Sequence, residues 1–290
     1  MKAAAFEYQR VDSIAAACTA LDEYGSEAKL IAGGQSLVPM MAMRLLRPTW
    51  LVDINPITAL KTLEERPEGI AIGAGFRQCE IERNRVLLER VPLLGRALAF
   101  VGHVQTRNRG TIGGSMVHAD PSAELPLAAL VLDATMMLQD TKGTTPVKAQ
   151  AFFTGPMSTA IEPTQCLTAI HIPVWSGTHQ GSAFDEVAIR HGDFAIVAAA
   201  AQVQLDDSGK CLRAAIGIGG AGPTPLAFPE IAVRLIGGTL DDPAIDAAAA
   251  VVAAACDPGS DLHASVAYRR HLARVLMGRV LRAARIEAVQ

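Results

Sequence analysis

Thr111-Ile112-Gly113-Gly114-Ser115, with its tail His118-Ala119-Asp120-Pro121 and Ala123-Glu124-Leu125-Pro126, is the stretch on which the reading of this chain turns. Two adjacent glycines stand between a β-branched pair and a hydroxyl. A glycine pair lets the backbone take positive φ and lets a ligand approach where a Cβ would block it. Successive N–H groups in such a turn form a concavity suited to an anion. Ala32-Gly33-Gly34-Gln35-Ser36-Leu37 repeats that chemistry near the N-terminus. Two such loops, far apart in sequence, would close on one pyrophosphate from two sides, with Ser36, Ser115 and Thr111 adding hydroxyl donors. Taken singly, each glycine pair reads equally well as a tight turn. The match between the two favours the anion site.

The surroundings of the first loop read as strand, loop, helix, strand. Lys29 to Ile31 is a short strand, Leu37 to Leu46 a helix with Pro39 tolerated in its first turn, and Leu51 to Ile54 a second strand. Pro48 ends the helix. Upstream, Asp12/Ser13 caps a helix with apolar positions Ile14, Ala17, Cys18, Leu21 and Tyr24, and Gly25 stops it. At such a junction backbone amides bind an anion without a basic residue. Residues from about 1 to 56 therefore form a small parallel α/β unit.

The second loop lies in a different texture. Gly69 to Gly75 reads as a strand, Ile81 to Leu88 and Leu93 to Phe100 as helices, and Val104 to Gly110 as a polar loop delivering Thr111. Leu125 to Leu132 is an apolar helix. Thr135 to Leu138, Thr145 to Val147 and Cys166 to Ile172 are strand-like. Residues 57–175 thus read as α+β with mostly antiparallel character. Pro173 to Gly181 has linker composition, which separates 1–175 from 180–290. Beyond it, Ala183 to Arg190, Ile196 to Leu205 and Leu212 to Gly217 predict a three-stranded antiparallel sheet, with Asp206 to Gly209 as a hairpin turn. Asp241 to Cys256 and Asp261 to Val289 predict helices. The fold class is α+β.

Composition removes several functions. The 290 residues carry a formal net charge of −3, with no basic excess of the kind nucleic acid requires. The longest apolar run, Ala247 to Cys256, is about half the ~20 residues of a membrane span. Cys18, Cys79, Cys166, Cys211 and Cys256 are widely spaced, with no CxxC and no metal-ligand pattern. They read as reduced and packed rather than as iron–sulfur ligands. The expectation is a soluble, cytoplasmic protein.

Other candidates are weaker. Gly217-Ile218-Gly219-Gly220-Ala221-Gly222 matches a dinucleotide fingerprint, yet Pro223-Thr224-Pro225 follows where a helix is required. Gly34-Gln35-Ser36-Leu37-Val38 lacks the second glycine of a nucleophile elbow. The seven histidines contain no H-E-x-x-H. Arg190-His191-Gly192-Asp193-Phe194 places an aromatic in a turn, where it serves either to stack on a ring ligand or as a satellite core contact. The arginines of the last helix read as a solvated face, with a partner interface as the alternative. No residue is singled out as catalytic or as a metal ligand.

Taken together these residues resemble the FAD-binding medium subunit of the molybdenum hydroxylases, the family of carbon monoxide dehydrogenase-type enzymes and of the FAD region of xanthine dehydrogenase. The likeness spans Phe6-Glu7-Tyr8, Ala32 to Pro39, Leu51 to Ile54, Arg107 to Ser115, Cys166 to Ile170 and Gly192 to Ala195. It implies FAD in this chain, a small partner with two [2Fe–2S] clusters and a large partner with molybdopterin cytosine dinucleotide, as a dimer of heterotrimers. It implies that electrons pass from the clusters to the FAD and on to an external acceptor. By the same resemblance Leu30 to Leu37 (Leu30, Ala32, Gly33, Gly34, Gln35, Ser36, Leu37) wraps the pyrophosphate from one side. Thr111, Gly113, Gly114 and Ser115 wrap it from the other. Glu124 contacts the cofactor, Leu167 offers backbone atoms near the flavin, and Phe194 lies against the ring. Placed near the ribityl or adenosine hydroxyls, Asp120 and Glu124 would accept hydrogen bonds from them. Gln35, Ser115 and Glu124 stand where His or Asn, Asn, and Asp are frequent in the family. Two other readings are a stand-alone FAD-dependent reductase or oxidase, and a cofactor-free binding module on the same fold.

Overall fold

The computed structural model describes residues 2–290. The chain opens with β1 (Glu7–Arg10), α1 (Ile14–Tyr24), β2 (Ala28–Ile31), α2 (Leu37–Ala42) and β3 (Trp50–Asp53). The strands make a parallel sheet in the order β1-β3-β2, as the alternation of elements implies. α1 starts at Ser13, whose side chain accepts from the Ala16 N–H, and stops at Gly25 with φ 54°. Its inner residues Ala17, Cys18 and Leu21 close a small core with Val52 and Ile54. α2 is shorter than expected and does not reach Pro48. The chain turns into the left-handed region at Arg44, and the Leu45 N–H returns to the Met40 carbonyl.

The middle of the chain comprises β4 (Leu63–Arg66), β5 (Gly69–Gly73), α3 (Gln78–Arg83), α4 (Arg85–Arg90), α5 (Pro92–Leu98), α6 (Val104–Arg109), α7 (Ile112–His118) and α8 (Glu124–Val131). It continues through β6 (Thr135–Gln139), β7 (Thr144–Lys148), α9 (Ala149–Phe152), β8 (Phe153–Gly155), β9 (Ser158–Thr159) and β10 (Cys166–Pro173). A five-stranded antiparallel sheet runs β4-β5-β10-β6-β7. Two expectations change here. The helix expected over 81–88 is broken at Asn84, whose side chain caps α4 by accepting from the Leu87 N–H. The polar stretch 104–109 is a helix rather than a loop. None of its residues is buried, so it carries no apolar periodicity to read.

The last third comprises β11 (Gln180–Ala188), β12 (Ala195–Leu205), β13 (Cys211–Gly219), β14 (Leu226–Ala227), α10 (Pro229–Val233), α11 (Asp242–Ala255) and α12 (Val266–Val289). The sheet has four strands in the order β11-β12-β13-β14, because the two-residue β14 adds to the three expected. α12 starts at Val266 and not at Asp261. The Ser265 side chain caps it, and Asp261 instead organises the preceding turn by accepting from the His263 and Ala264 N–H groups. The arginines of α12 are not a simple solvated face. Arg269 is buried and donates to the Ile196 and Gly220 carbonyls and to Asp261, and Arg282 bridges to Asp242 and Asp246 on α11.

α8 joins the second and third sheets. All eight of its residues are buried, which fits a helix that is apolar all round. It packs on α5 on one side and on β12 and β13 on the other. Phe184, Ala195, Ala198 and Ala200, all beyond the linker, belong to the same core cluster as Leu125 to Leu132. Here the fingerprint-like glycines find their use. A Cβ on Gly217 would meet Val131 Cγ2 at 2.7 Å and Leu127 Cδ1 at 2.9 Å, so Gly217 lets α8 settle on β13.

Candidate cofactor site

The site begins at the carboxyl ends of β2 and β3, where ligands of parallel sheets bind. The backbone leaves β2 through Ala32 and Gly33, and Gly34 takes φ 73°, so the chain turns back on itself before α2. Among the described residues, the N–H groups of Gly33, Gly34, Gln35, Ser36 and Leu37 donate to no protein acceptor. Ser36 begins α2 without a side-chain cap bond, which leaves its hydroxyl free. Gln35 turns inward on its own loop, its Nε2 donating to the Gly33 carbonyl at 3.1 Å. Such a row of unspent amides is what an anion requires.

The second glycine pair is built differently from the turn expected of it. Thr111 is the N-cap of α7 and its hydroxyl accepts from the Gly114 N–H at 3.0 Å. The Ile112 and Gly113 N–H groups donate to the Phe76 and Ala74 carbonyls. The amides of this jaw are therefore spent inside the protein, and neither glycine has positive φ. Gly113 serves close packing, since a Cβ there would lie 2.5 Å from the Ala74 Cβ. Gly114 is exposed and keeps the wall low. Ser115 accepts from Gln78 Nε2 at 2.9 Å, which leaves its own proton to donate. The side-chain oxygen of Gln78 is buried without a partner.

The two jaws touch. A Cβ on Gly33 would sit 2.3 Å from the Arg109 carbonyl oxygen, at the end of α6. A polar relay holds this junction. Tyr8 donates to Asp53 at 2.5 Å, and Asp53 accepts both N–H groups of Asn55, backbone at 2.9 Å and side chain at 2.6 Å. Asn55 also donates to the Ala32 carbonyl at 2.8 Å and accepts from Arg77 at 2.6 Å, and Arg77 donates onward to the Arg109 carbonyl. Burial pushes the Asp53 carboxyl upward, but hydrogen bonds from Tyr8 and Asn55 and the charge of Arg10 outweigh it and hold Asp53 below the usual carboxylate range.

Between the jaws runs a cleft of about 860 Å³. Leu30, Ala32, Gly33, Gly34, Gln35, Ser36, Leu37, Thr111, Gly113, Gly114, Ser115, Glu124, Leu167 and Phe194 all line it. Asp120 does not. Its Oδ1 accepts from the Ser122 N–H at 2.9 Å and so shapes the α7–α8 turn. Leu167 reaches the cleft at a bulge in β10, where the register against β6 slips by one residue. Phe194 follows Gly192, which has φ 78° and rests against His103. The Phe194 ring is 61% exposed, an apolar face open to the cleft. The cleft wall thus offers undonated backbone amides and an exposed aromatic, Phe194. Asn55, Arg77 and Gln78 escaped the sequence reading. Asn55-Pro56 at the end of a parallel strand was a usable signal, whereas Arg77 and Gln78 sit in no motif.

Comparison with known proteins agrees with this geometry. A family model described as the FAD binding domain in molybdopterin dehydrogenase matches residues 4–175, and one described as the CO dehydrogenase flavoprotein C-terminal domain matches residues 182–284. The 6-hydroxypseudooxynicotine dehydrogenase complex subunit alpha of Paenarthrobacter nicotinovorans is 39% identical over 281 residues, covering 97% of this chain and 95% of that one. The carbon monoxide dehydrogenase medium chain of Afipia carboxidovorans is 36% identical over 283 residues, 98% of each. The crystal structure of a cyanide-inactivated Cu,Mo-CO dehydrogenase matches with a TM-score of 0.96 at 35% identity, covering 99% of this chain and 100% of that one. This chain therefore belongs to the FAD-binding medium subunits of the molybdenum-containing dehydrogenases, a family of oxidoreductases.

Proposed function

We propose that this chain holds one FAD in the cleft and relays electrons from [2Fe–2S] clusters of a small partner subunit to an external acceptor. A large partner with molybdopterin cytosine dinucleotide performs the substrate chemistry, and the assembly is a dimer of heterotrimers. The relatives' names support the multi-chain setting, one being a medium chain and another a complex subunit. Among the described residues no helix is long and apolar enough to cross a membrane, and we place the complex in the cytoplasm. We divide the chain into an FAD-binding part, 1–175, and a C-terminal part, 180–290.

The row of unspent amides from Gly33 to Leu37 carries the cofactor assignment. These N–H groups and the Ser36 hydroxyl hold the pyrophosphate, with Leu30 and Ala32 shaping the entry. Thr111, Gly113, Gly114 and Ser115 form the facing wall, chiefly through shape and the Ser115 hydroxyl. Glu124, Leu167 and Phe194 flank the flavin end. FAD supplies the redox chemistry, and the protein supplies binding, orientation and exclusion of water.

Replacing Gly34 by Val tests the binding half. Gly34 has φ 73°, and a Cβ would approach Val38 at 3.2 Å, so the loop must rebuild. We expect G34V to purify folded but without the absorption of bound flavin; stoichiometric FAD in G34V would refute the loop's role. Co-expression with the neighbouring subunit genes tests the relay. Flavin reduction should follow substrate addition only when the small subunit is present.

A further inference from the structure

We propose that Gln78 is a positioning residue for the cofactor: buried behind the second jaw, it fixes the polarity of the Ser115 hydroxyl, so that Ser115 turns a proton and not a lone pair toward the FAD pyrophosphate. The proposal rests on the FAD reading above and deepens it.

A shortage of donors makes this hydroxyl matter. The backbone N–H groups from Ile112 to Ser115 are all spent within the protein. Those of Ile112 and Gly113 go to the Phe76 and Ala74 carbonyls, that of Gly114 to the Thr111 hydroxyl and that of Ser115 to the Thr111 carbonyl. Thr111 itself is 2% exposed. The half-buried Ser115, which lines the cleft, is therefore the accessible donor of this jaw. A serine hydroxyl has one proton and two lone pairs and rotates to suit its partners. On a helix it readily turns its proton back onto a carbonyl of the preceding turn. Here a lone pair is already occupied, because Gln78 Nε2 donates to Ser115 Oγ at 2.9 Å. Among the described residues Ser115 Oγ donates to no protein acceptor, so its proton is left for a ligand.

The surroundings hold Gln78 in that role. It is the first residue of α3 and is 3% exposed. Its N–H donates to the Gly110 carbonyl at 3.0 Å, and Arg77 pairs with Thr111 across an antiparallel bridge, so the start of α3 is zipped to the segment that enters the jaw. Glu80 accepts from the Arg77 N–H at 2.9 Å and fixes the same turn. Gly110 makes room for the amide, since a Cβ there would lie 2.6 Å from Gln78 Oε1 and 2.9 Å from its Cδ. Oε1 is buried without a partner, and a buried oxygen with no donor calls for an account. Turned over, the amide would take the Ser115 proton on Oε1 and leave only lone pairs facing the cleft. The observed orientation leaves Oε1 idle and keeps the proton for an anion, to which it makes the stronger, charge-assisted bond.

The test has two arms on the full chain. The first needs no flavin. In nitrogen-labelled, flavin-free protein the NMR signal of the Gln78 side-chain amide is identified by its loss in a Gln78 variant. In S115A it should move toward the position of a free amide. A signal unmoved by S115A means that Nε2 does not serve Ser115 and overturns the proposal. The second arm measures FAD affinity. S115A should bind about tenfold more weakly, as the loss of a hydrogen bond to a charged group implies. Q78M keeps the length of the side chain but bonds nothing, and should weaken binding by about threefold to tenfold. Combined with S115A, Q78M should add nothing further, because it acts only through the hydroxyl. Wild-type affinity in S115A, or full additivity in the double variant, overturns the proposal. Should Q78M fail to fold, Q78E serves: its carboxylate takes the Ser115 proton, so FAD should bind at least as weakly as to S115A, and wild-type affinity in Q78E overturns the proposal. If the wild type binds no FAD the cofactor reading itself fails, while the first arm still decides the hydrogen bond.

Discussion

Gly33 is the residue on which the two jaws meet. Its missing Cβ is what allows the first loop to lie on the Arg109 carbonyl, so Gly33→Ala forces the jaws apart. Overpacking of this kind costs about 1–3 kcal/mol. G33A should therefore lower the melting temperature and bind flavin poorly, while Gly259→Ala, where a Cβ meets nothing within 4 Å, should change neither. Equal flavin content in G33A and wild type would remove Gly33 from the junction. Asp53 supports the same junction from behind. A carboxyl held below its usual range stabilises the fold above its unfolded pKa, and that contribution is lost as pH falls through the lowered folded value. At neutral pH Asp53→Asn should cost about 1–3 kcal/mol, because it weakens hydrogen bonds that favour a charged acceptor. Urea unfolding should show the gap between wild type and D53N narrowing in the acid range, below the usual pKa of an aspartate. A gap independent of pH would mean that Asp53 is not the charged centre of the Tyr8–Asn55–Arg77 relay.

At the scale of elements, legibility followed burial. α8 was readable because every side chain after Glu124, its first residue, is apolar. Leu127 is fully buried, its δ carbons facing Gly217 and Gly219 of β13, so Leu127→Ala should destabilise by about 2–5 kcal/mol, measured by denaturant unfolding. α6 was not readable, since it buries nothing, has no side-chain cap and is held by Arg107, which bonds Glu82 and the Val101 and Gly102 carbonyls. The glycine pair at 113–114 was legible as part of the site but not as the first turn of a helix. Glycine pairs suggest a turn, and only the neighbouring carbonyls of Ala74 and Phe76, supplied by distant sequence, reveal where the amides go. The same blindness applies to the glycines at 217–222. Their spacing resembles a phosphate loop, whereas Gly217 serves close packing beneath α8 and Gly220, with φ 73°, makes a turn against the Ile196 carbonyl, which only the partner surfaces make visible. The β10 bulge that presents Leu167 has no signature either, because an extra residue in one strand shows only against its neighbour.

Across the whole molecule, the linker composition at 173–181 marks a boundary that the core crosses. Ala195, Ala198 and Ala200 of β12 share one apolar cluster with α5 and α8. The Glu287 carboxylate of α12 binds Arg96 of α5 at 2.7 Å and accepts from the Ser182 N–H of β11 at 2.8 Å. The cleft is likewise composite, lined by Glu124 and Leu167 from before the linker and by Phe194 from after it. Two halves that share a core and line one cleft unfold together. Calorimetry of the holoprotein should therefore show one cooperative transition. A fragment ending at residue 175 should aggregate, because the face of α8 that packs on β12 and β13 would be exposed to water. Bound FAD adds to this coupling, since a ligand held only by the assembled cleft stabilises it by RT ln(1 + [L]/Kd), about 2.7 kcal/mol at a hundredfold excess over Kd. Stripping the flavin should lower the transition temperature without splitting the transition. Two resolved transitions in the flavin-free protein would show instead that the cofactor, and not the apolar core under α8, is what binds the halves into one unit.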